Sequence, residues 1–432
     1  MNNNRVLRTF IWLILVCIAI GLTGVIIGVS LSLLVARYSV EPIVFLTAGA
    51  IAYIVVFLVG AKIFFSHFRY VNVGVYKITV YIIELVLMVS LGIALLLPLP
   101  NKHGEPLAVE GLKFWNLSDG LRISYVHLTG NGDLSLPPVI FLHGGPGVPD
   151  MAGDAAFFGE LVHDGFDVYI YDQIGSGRSS RLKDPREYTV ERDVTDLEFI
   201  RQKIGAEKII LIGHSYGGEI AAHYMSTYKN HVEKVVFSSP GAIDPEDTSG
   251  GNLTKSLTSG EKQDLFKALL QLRVLMTYGL LQINPLAAIQ FAGDSEMDAR
   301  FDKVYEYTQP SLHLRGLPLG PKLSGLGFYA NQTPQSASAG AKTDIRKMLW
   351  GDATQTLIIK GSSDYLSWSS AIEYKKVLKN SFLVYFSKAG HNIYQDQPDL
   401  FMEVLRSFLN NRSLPVDVYN GIEPPVDYEG VR

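Results

Sequence analysis

Hydrophobic positions divide the chain into two regions of different period. Between Phe10 and Pro98 apolar residues run almost unbroken, and only Arg37, Glu41, Lys62, Arg69, Lys77 and Glu84 carry charge. Three stretches reach the about 20 residues that a helix needs to cross a bilayer. They are 10–36, which holds no charge, 42–61, and 78–97, which is interrupted by Glu84 and closed by Pro98 and Pro100. Arg5 and Arg8 resemble the start of a cleaved signal peptide. The first apolar stretch is too long for one, however, and two more spans follow, so it reads as an uncleaved anchor.

From Leu121 onward short β-rich runs alternate with helix-period segments, the pattern of βαβ units around a mostly parallel sheet. Strands are expected at 121–127, 139–142, 166–171, 208–212, 234–238, 356–360 and 382–386. Helices are expected at 191–203, 216–228, 368–378 and 398–409. More than a hundred residues separate the fifth strand from the sixth, far more than one crossover requires. That insertion reads as a helical cap. Ser259 is placed to cap a helix over 261–278, Asn284 and Pro285 open another, and Ser295 with Asp298 resembles a capping box for a run through Tyr307. Residues 309–340 are rich in Gly, Pro and Ser and read as loop. The expected organisation is an anchor over 1–100, an α/β core over 101–240 and 346–412, the cap over 241–345, and a surface tail over 413–432.

Charge adds an orientation. Basic residues gather before the first span (Arg5, Arg8) and around the second loop (Lys62, Arg69, Lys77), whereas the first loop offers only Arg37. By the positive-inside rule the N-terminus then lies in the cytoplasm, and an odd number of spans delivers the remainder to the outer face of a cell membrane. Gly24, Gly28 and Ser32 recur at a spacing that lets another helix approach closely. Glu84 is an ionisable group in a span, which marks function or snorkels to the interface. The whole chain carries a net charge of −4, and its first 100 residues hold six basic and two acidic side chains, leaving −8 for the rest. Such an acidic part, without a Lys/Arg run, argues against nucleic-acid binding. With Cys17 as the sole cysteine, no intrachain disulfide and no cysteine metal site are expected. No H-E-x-x-H and no phosphate-binding glycine loop occur, so neither metal nor cofactor is expected.

The sharpest chemical signal is Gly213-His214-Ser215-Tyr216-Gly217, a G-x-S-x-G sequence. The strand pattern KIILI runs into it and the helix pattern GEIAAHYM follows, the setting in which a sharp turn presents the serine oxygen. A serine hydroxyl is a weak nucleophile without a base, so a histidine and an orienting acid must accompany Ser215. In this context they follow in the order Ser, acid, His. His391, in KAGHNI past the last strand, comes late enough. Asp364, in IIKGSSD past the strand before it, is the favoured acid, and Asp244 is its competitor. The run His143-Gly144-Gly145-Pro146-Gly147 ends another strand and can turn backbone N–H groups toward an oxyanion. Gly145 and Tyr216 are the expected donors, with His143 a structural hydrogen-bonding residue.

HGGPG, then Asp172-Gln173-Ile174-Gly175-Ser176-Gly177-Arg178-Ser179, then GHSYGG together resemble the prolyl aminopeptidase (proline iminopeptidase) branch of the α/β-hydrolase superfamily. The likeness covers about residues 120–410 and none of the apolar N-terminal part. It implies an α/β-hydrolase fold with an inserted helical cap. It also implies a Ser215–His391–Asp364 triad, and Asp172 and Arg178 as braces of the loop near the oxyanion hole. Aminopeptidases of this branch hold the substrate amine with cap glutamates, one of them beside an aromatic residue. Tyr305-Glu306-Tyr307 resembles that pattern, which makes Glu306 the expected substrate-binding residue. Two features depart from the branch: its usual Gly-Gly-Ser-Trp elbow is here Gly213-His214-Ser215-Tyr216, and no second cap glutamate stands near 325–332. Removal of an N-terminal residue, proline included, from peptides is the leading expectation, and hydrolysis of small esters the alternative. A non-enzymatic protein on the same shell would have no need of all three triad residues.

Overall fold

In a computed structural model of the chain, described for residues 3–66, 73–98, 104–131, 136–247, 251–336, 339 and 343–432, the apolar N-terminal runs are helices. Arg69, Pro100 and Gly340 lie outside the described residues. The chain forms two compact units, one of residues 1–100, 269–296 and 336–338, the other of 101–268, 297–335 and 339–432.

The first unit holds the helices Asn3–Ala36, Pro42–Ser66 and Val73–Leu96. Three stretches in them, Ile14–Ala36, Pro42–Ser66 and Lys77–Leu96, are long and apolar enough to cross a membrane. The small face of the first helix is occupied by the second. A side chain at Gly24 would meet the ring of Tyr53 at 2.9 Å, and one at Gly28 the carbonyl of Gly49 at 2.9 Å. Glu84 turns inward, where the Tyr53 hydroxyl donates to its Oε2 at 2.8 Å.

Two helices of the long insertion, Leu272–Ile283 and Pro285–Phe291, fold with these N-terminal helices rather than with the α/β unit. Their polar residues close helix ends that would otherwise leave carbonyls without partners. Arg273 Nη1 donates to the Leu95 carbonyl at 2.8 Å, and Asn284 Nδ2 to that of Ala36 at 2.8 Å. The same guanidinium pairs with Glu296 through Nε at 2.6 Å and Nη2 at 2.9 Å, both side chains buried. Removing one partner of such a pair strands the other's charge in the interior, at about 3–5 kcal/mol. Arg273→Met is therefore expected to destabilise this unit on that scale, read as a lowered unfolding midpoint of the detergent-solubilised chain, with Lys303→Met as a surface control.

The second unit is built on one eight-stranded sheet: β1 (Lys113–Asn116), β2 (Arg122–Leu128), β3 (Val139–Leu142), β4 (Val168–Tyr171), β5 (Ile209–His214), β6 (Val232–Ser238), β7 (Gln355–Gly361) and β8 (Ser381–Phe386). Their order is β1-β2-β4-β3-β5-β6-β7-β8. β2 pairs antiparallel with β1 and β4, and every other neighbour is parallel. Helices cover a parallel sheet on both faces, which is why the central strands read as unbroken apolar runs. Every residue of β3, β4 and β5 is buried. Phe141, Ile212, Val236, Ile359, Val384 and Phe401 share one core.

The seven expected strands and four expected core helices all form, with ends shifted by up to two residues. The four-residue edge strand β1 and the helices Met151–Phe158, Phe328–Gln332, Arg346–Leu349 and Ile393–Asp396 are additional, and Phe328–Gln332 falls in the stretch expected as loop. In the insertion the single helix expected over 261–278 is two, Ser259–Leu269 and Leu272–Ile283. Gln271 between them is extended, and the chain passes from one unit to the other shortly before it, between Ala268 and Leu269, so tertiary structure overrides a continuous helical pattern. Ser295 does not cap its helix, which already begins at Asp294. Asp298 instead accepts from the Phe328 amide at 2.8 Å and from Arg181 Nε at 2.9 Å. The final residues run along the surface and are tied to the second unit. Val431 bridges to Ser367, and the Glu429 amide donates to the Ser362 carbonyl at 2.8 Å.

Candidate active site

β5 delivers Ser215 on the turn into the helix Tyr216–Tyr228. Its φ of 54° and ψ of −117° lie where L-residues are strained. Two flanking glycines make that turn possible. A β-carbon at Gly217 would collide with the carbonyl of Leu142, and one at Gly213 with the carbonyl of Gly217. These are backbone groups that cannot yield, which is the physical content of the G-x-S-x-G pattern. The Ser215 amide donates to the Ser238 carbonyl at 2.9 Å, tying the elbow to β6. Tyr216 opens the helix, so its N–H has no intrahelical partner and points out of the helix end. Its hydroxyl donates to Asp193 Oδ2 at 2.8 Å. Burial raises the Asp193 carboxyl to about 8.

Asp364 follows β7 and His391 follows β8, and the structure brings them together with Nδ1 of the histidine 2.7 Å from Oδ1 of the aspartate. The Leu366 amide donates to the same oxygen at 3.0 Å. Burial alone would push Asp364 up. Lys360 and His391 outweigh it and hold the carboxyl well below the usual range. Tyr365 packs its ring 4.5 Å from that of His391, and its hydroxyl interacts with the Ser215 side chain. One tyrosine thus links the serine to the His–Asp pair. Asp244 is engaged elsewhere, in an ion pair with Arg346. His214 packs 4.8 Å from His391, ring to ring. Burial first, and then His391, push its pKa down to about 3, which keeps it neutral.

The loop after β3 crosses directly above the serine. A side chain at Gly144 would lie 3.0 Å from the Ser215 β-carbon, and Gly145 has φ +121°. His143 is buried and pushed down to about 4 by burial, so its imidazole is neutral. With Nδ1 donating to the Gly144 carbonyl at 2.9 Å, its Nε2 accepts from the Gln173 amide at 3.0 Å. Asp172 receives the Arg178 amide at 2.8 Å and the Ser124 hydroxyl at 2.7 Å. The Arg178 guanidinium bonds the carbonyls of Pro106 and Leu107 at 2.5 and 3.2 Å.

Glu306 is not brought to these residues by any contact of its carboxylate. Lys303 at 2.9 Å and Lys322 at 2.7 Å take up its charge, and both ammonium groups hold its pKa down. Its neighbour Tyr305 is the side chain that faces inward, where its environment includes Asp150, Tyr365 and Asp154. Two supports carry no motif of their own. Asp396 accepts the amides of Gly390 at 2.7 Å and Leu314 at 2.8 Å together with His313 Nδ1 at 2.7 Å, fastening the loop of His391. Near the C-terminus the Tyr428 hydroxyl donates to the Leu366 carbonyl at 3.1 Å, beside Asp364.

The sequence profile described as the alpha/beta hydrolase fold matches residues 137–398. The chain belongs to the α/β-hydrolase fold family. Within that family it is similar to the proline iminopeptidase of Saccharolobus solfataricus, at 25% identity over 287 residues, 63% of this chain and 84% of that protein. The proline iminopeptidase of Heyndrickxia coagulans is 27% identical over 315 residues, 68% of this chain and 96% of that protein. The crystal structure of VinJ matches the fold with a TM-score of 0.51 at 18% sequence identity, covering 71% of this chain and 100% of that chain. The protein is a hydrolase of proline iminopeptidase-like sequence, and both matched enzymes align with about two thirds of it.

Proposed function

We propose that this α/β-hydrolase is a membrane-anchored serine hydrolase that removes an N-terminal residue, proline included, from short peptides. The observation that carries it is the His391–Asp364 contact of 2.7 Å beside a strained serine elbow. Ser215 Oγ attacks the carbonyl carbon while His391 Nε2 accepts its proton. The Asp364 carboxylate holds the other ring nitrogen as the donor and stabilises the imidazolium that forms. The N–H groups of Gly145 and Tyr216 receive the oxyanion, and the imidazolium then protonates the leaving amine. Water repeats the sequence on the acyl-enzyme. The three apolar helices anchor the chain with the N-terminus in the cytoplasm and the catalytic unit outside, in keeping with the positive-inside pattern.

A second reading, hydrolysis of small esters, is favoured by one observation: the carboxylate expected to hold the substrate amine is already committed to Lys303 and Lys322. The two readings separate on a panel of a free-amine prolyl amide, its N-acetyl form and short-chain aryl esters, run on detergent-solubilised protein. The peptidase reading expects cleavage of the free-amine amide, its loss on acetylation, and its loss in Ser215→Ala. Glu306→Gln is then expected to raise KM about tenfold if the lysines release Glu306 to the substrate. Ester cleavage alone, with Glu306→Gln unchanged, retires the peptidase reading.

A further inference from the structure

The sheet carries a charge that the proposed mechanism does not use. Lys360 is the penultimate residue of β7, four positions before Asp364, and both side chains are wholly inaccessible to solvent. Its Nζ lies 2.7 Å from Oδ2 of Asp364, the carboxylate oxygen turned away from His391. The contact pairs an ammonium with a carboxylate at ion-pair distance. The ammonium is held in place by the Leu366 carbonyl at 3.2 Å and Ser370 Oγ at 3.4 Å. A lysine wholly removed from water is costly unless a negative charge compensates it, and here the compensating charge is the acid of the His–Asp pair. The carboxylate is thus shared between the Lys360 ammonium at Oδ2 and the His391 ring at Oδ1.

We propose that Lys360 is a positioning residue of the catalytic apparatus, fixing Asp364 from behind and taking up part of the negative charge that would otherwise act on His391. The inference rests on the Ser215–His391–Asp364 reading above. Its consequence is a base that gives up its proton more readily. With the carboxylate half-neutralised by Lys360, the imidazolium that His391 becomes on taking the serine proton is less stabilised. The ionisable groups that face His391 are Asp364, Tyr365 and His214. Among the described residues, those that face Asp364 are Lys360, His391, Tyr365, His214 and Tyr428. The tyrosines and His214 are held neutral, and for Lys360 burial pushes the ammonium pKa down while Asp364 acts to keep the charge, so the lysine is the carboxylate's cationic partner.

The test reads the rate at which a fluorophosphonate labels Ser215 in the full-length, detergent-solubilised chain between pH 5 and 9, which needs no knowledge of the substrate. Lys360→Met removes the charge. Lys360→Gln removes it while keeping a donor for Leu366 and Ser370, and serves if the methionine variant fails to fold. Each folded variant is expected to shift the acid limb upward by about one pH unit, a roughly tenfold lower rate on the acid side. A purely structural role would lower the plateau and leave the limb in place. Limbs that coincide with wild type in the folded variants overturn the inference. Wild-type labelling that survives in Ser215→Ala overturns the triad reading instead, so the two failures are distinguishable.

Discussion

Ser215→Ala is expected to abolish turnover, with a loss on the order of a million-fold in kcat, the scale seen when a triad nucleophile is removed from a serine hydrolase. The substituted chain should still fold, because the elbow is held by backbone groups. The Ser215 amide bonds Ser238, and the Gly218 and Gly241 amides bond the Ser215 carbonyl. A companion substitution tests the strain. At φ 54°, alanine keeps the disfavoured backbone whereas glycine is released from it, so Ser215→Gly should be more stable than Ser215→Ala by about 1 kcal/mol while equally inactive. Denaturant midpoints of the two variants, set beside steady-state rates on whichever substrate the panel identifies, decide it. Residual Ser215→Ala activity above about one part in a thousand would point to a different nucleophile.

The elbow is legible in the sequence because its demands are local. Gly213 and Gly217 are required by carbonyls of Gly217 and Leu142, and the flanking strand and helix announce themselves by period. The same holds for Asp364 and His391, which stand just beyond strand ends where a parallel sheet presents its loops on one edge. What is not legible depends on partners distant in sequence. Glu306 sits beside aromatic residues as the motif asks, yet helix geometry turns Tyr305 inward and leaves Glu306 to Lys303 and Lys322. Lys360 is simply the last residue of an expected strand and belongs to no motif, and only the structure sets it, buried, against Asp364. Tyr428 and Asp396 hold the loops of Asp364 and His391 from segments whose composition signals nothing but surface and helix.

The insertion illustrates the same limit on a larger scale. Its helical content follows from caps and period, but periodicity cannot say which surface a helix covers. Leu272–Ile283 is apolar enough to pack anywhere, and Arg273 and Asn284 decide the matter by reaching carbonyls at the ends of N-terminal helices, at Leu95 and Ala36. An insertion in the hydrolase sequence therefore contributes structure to the unit of the N-terminal helices as well as to its own.

The acid is the residue at which a single oxygen-to-nitrogen exchange should matter most. Asp364→Asn is expected to lower kcat/KM by about ten-thousandfold, since an amide can hold His391 in the wrong tautomer and offers no charge to the imidazolium. Asp244→Asn should change it less than twofold, because that carboxylate is spent on Arg346. The loss in Asp364→Asn should persist at every pH from 5 to 9. The native carboxyl, held well below the usual range by Lys360 and His391, is ionised throughout that window, so no pH restores what the substitution removes. Stability must be read alongside the rate. With the carboxylate gone, Lys360 is left as a buried cation facing an amide, at a cost of about 3–5 kcal/mol if it stays charged. The double variant Asp364→Asn with Lys360→Met should recover most of that stability and none of the activity, separating the pair's structural role from its chemical one. A double variant that regained activity would show that His391 takes its orientation from another group, and the acid would have to be sought again.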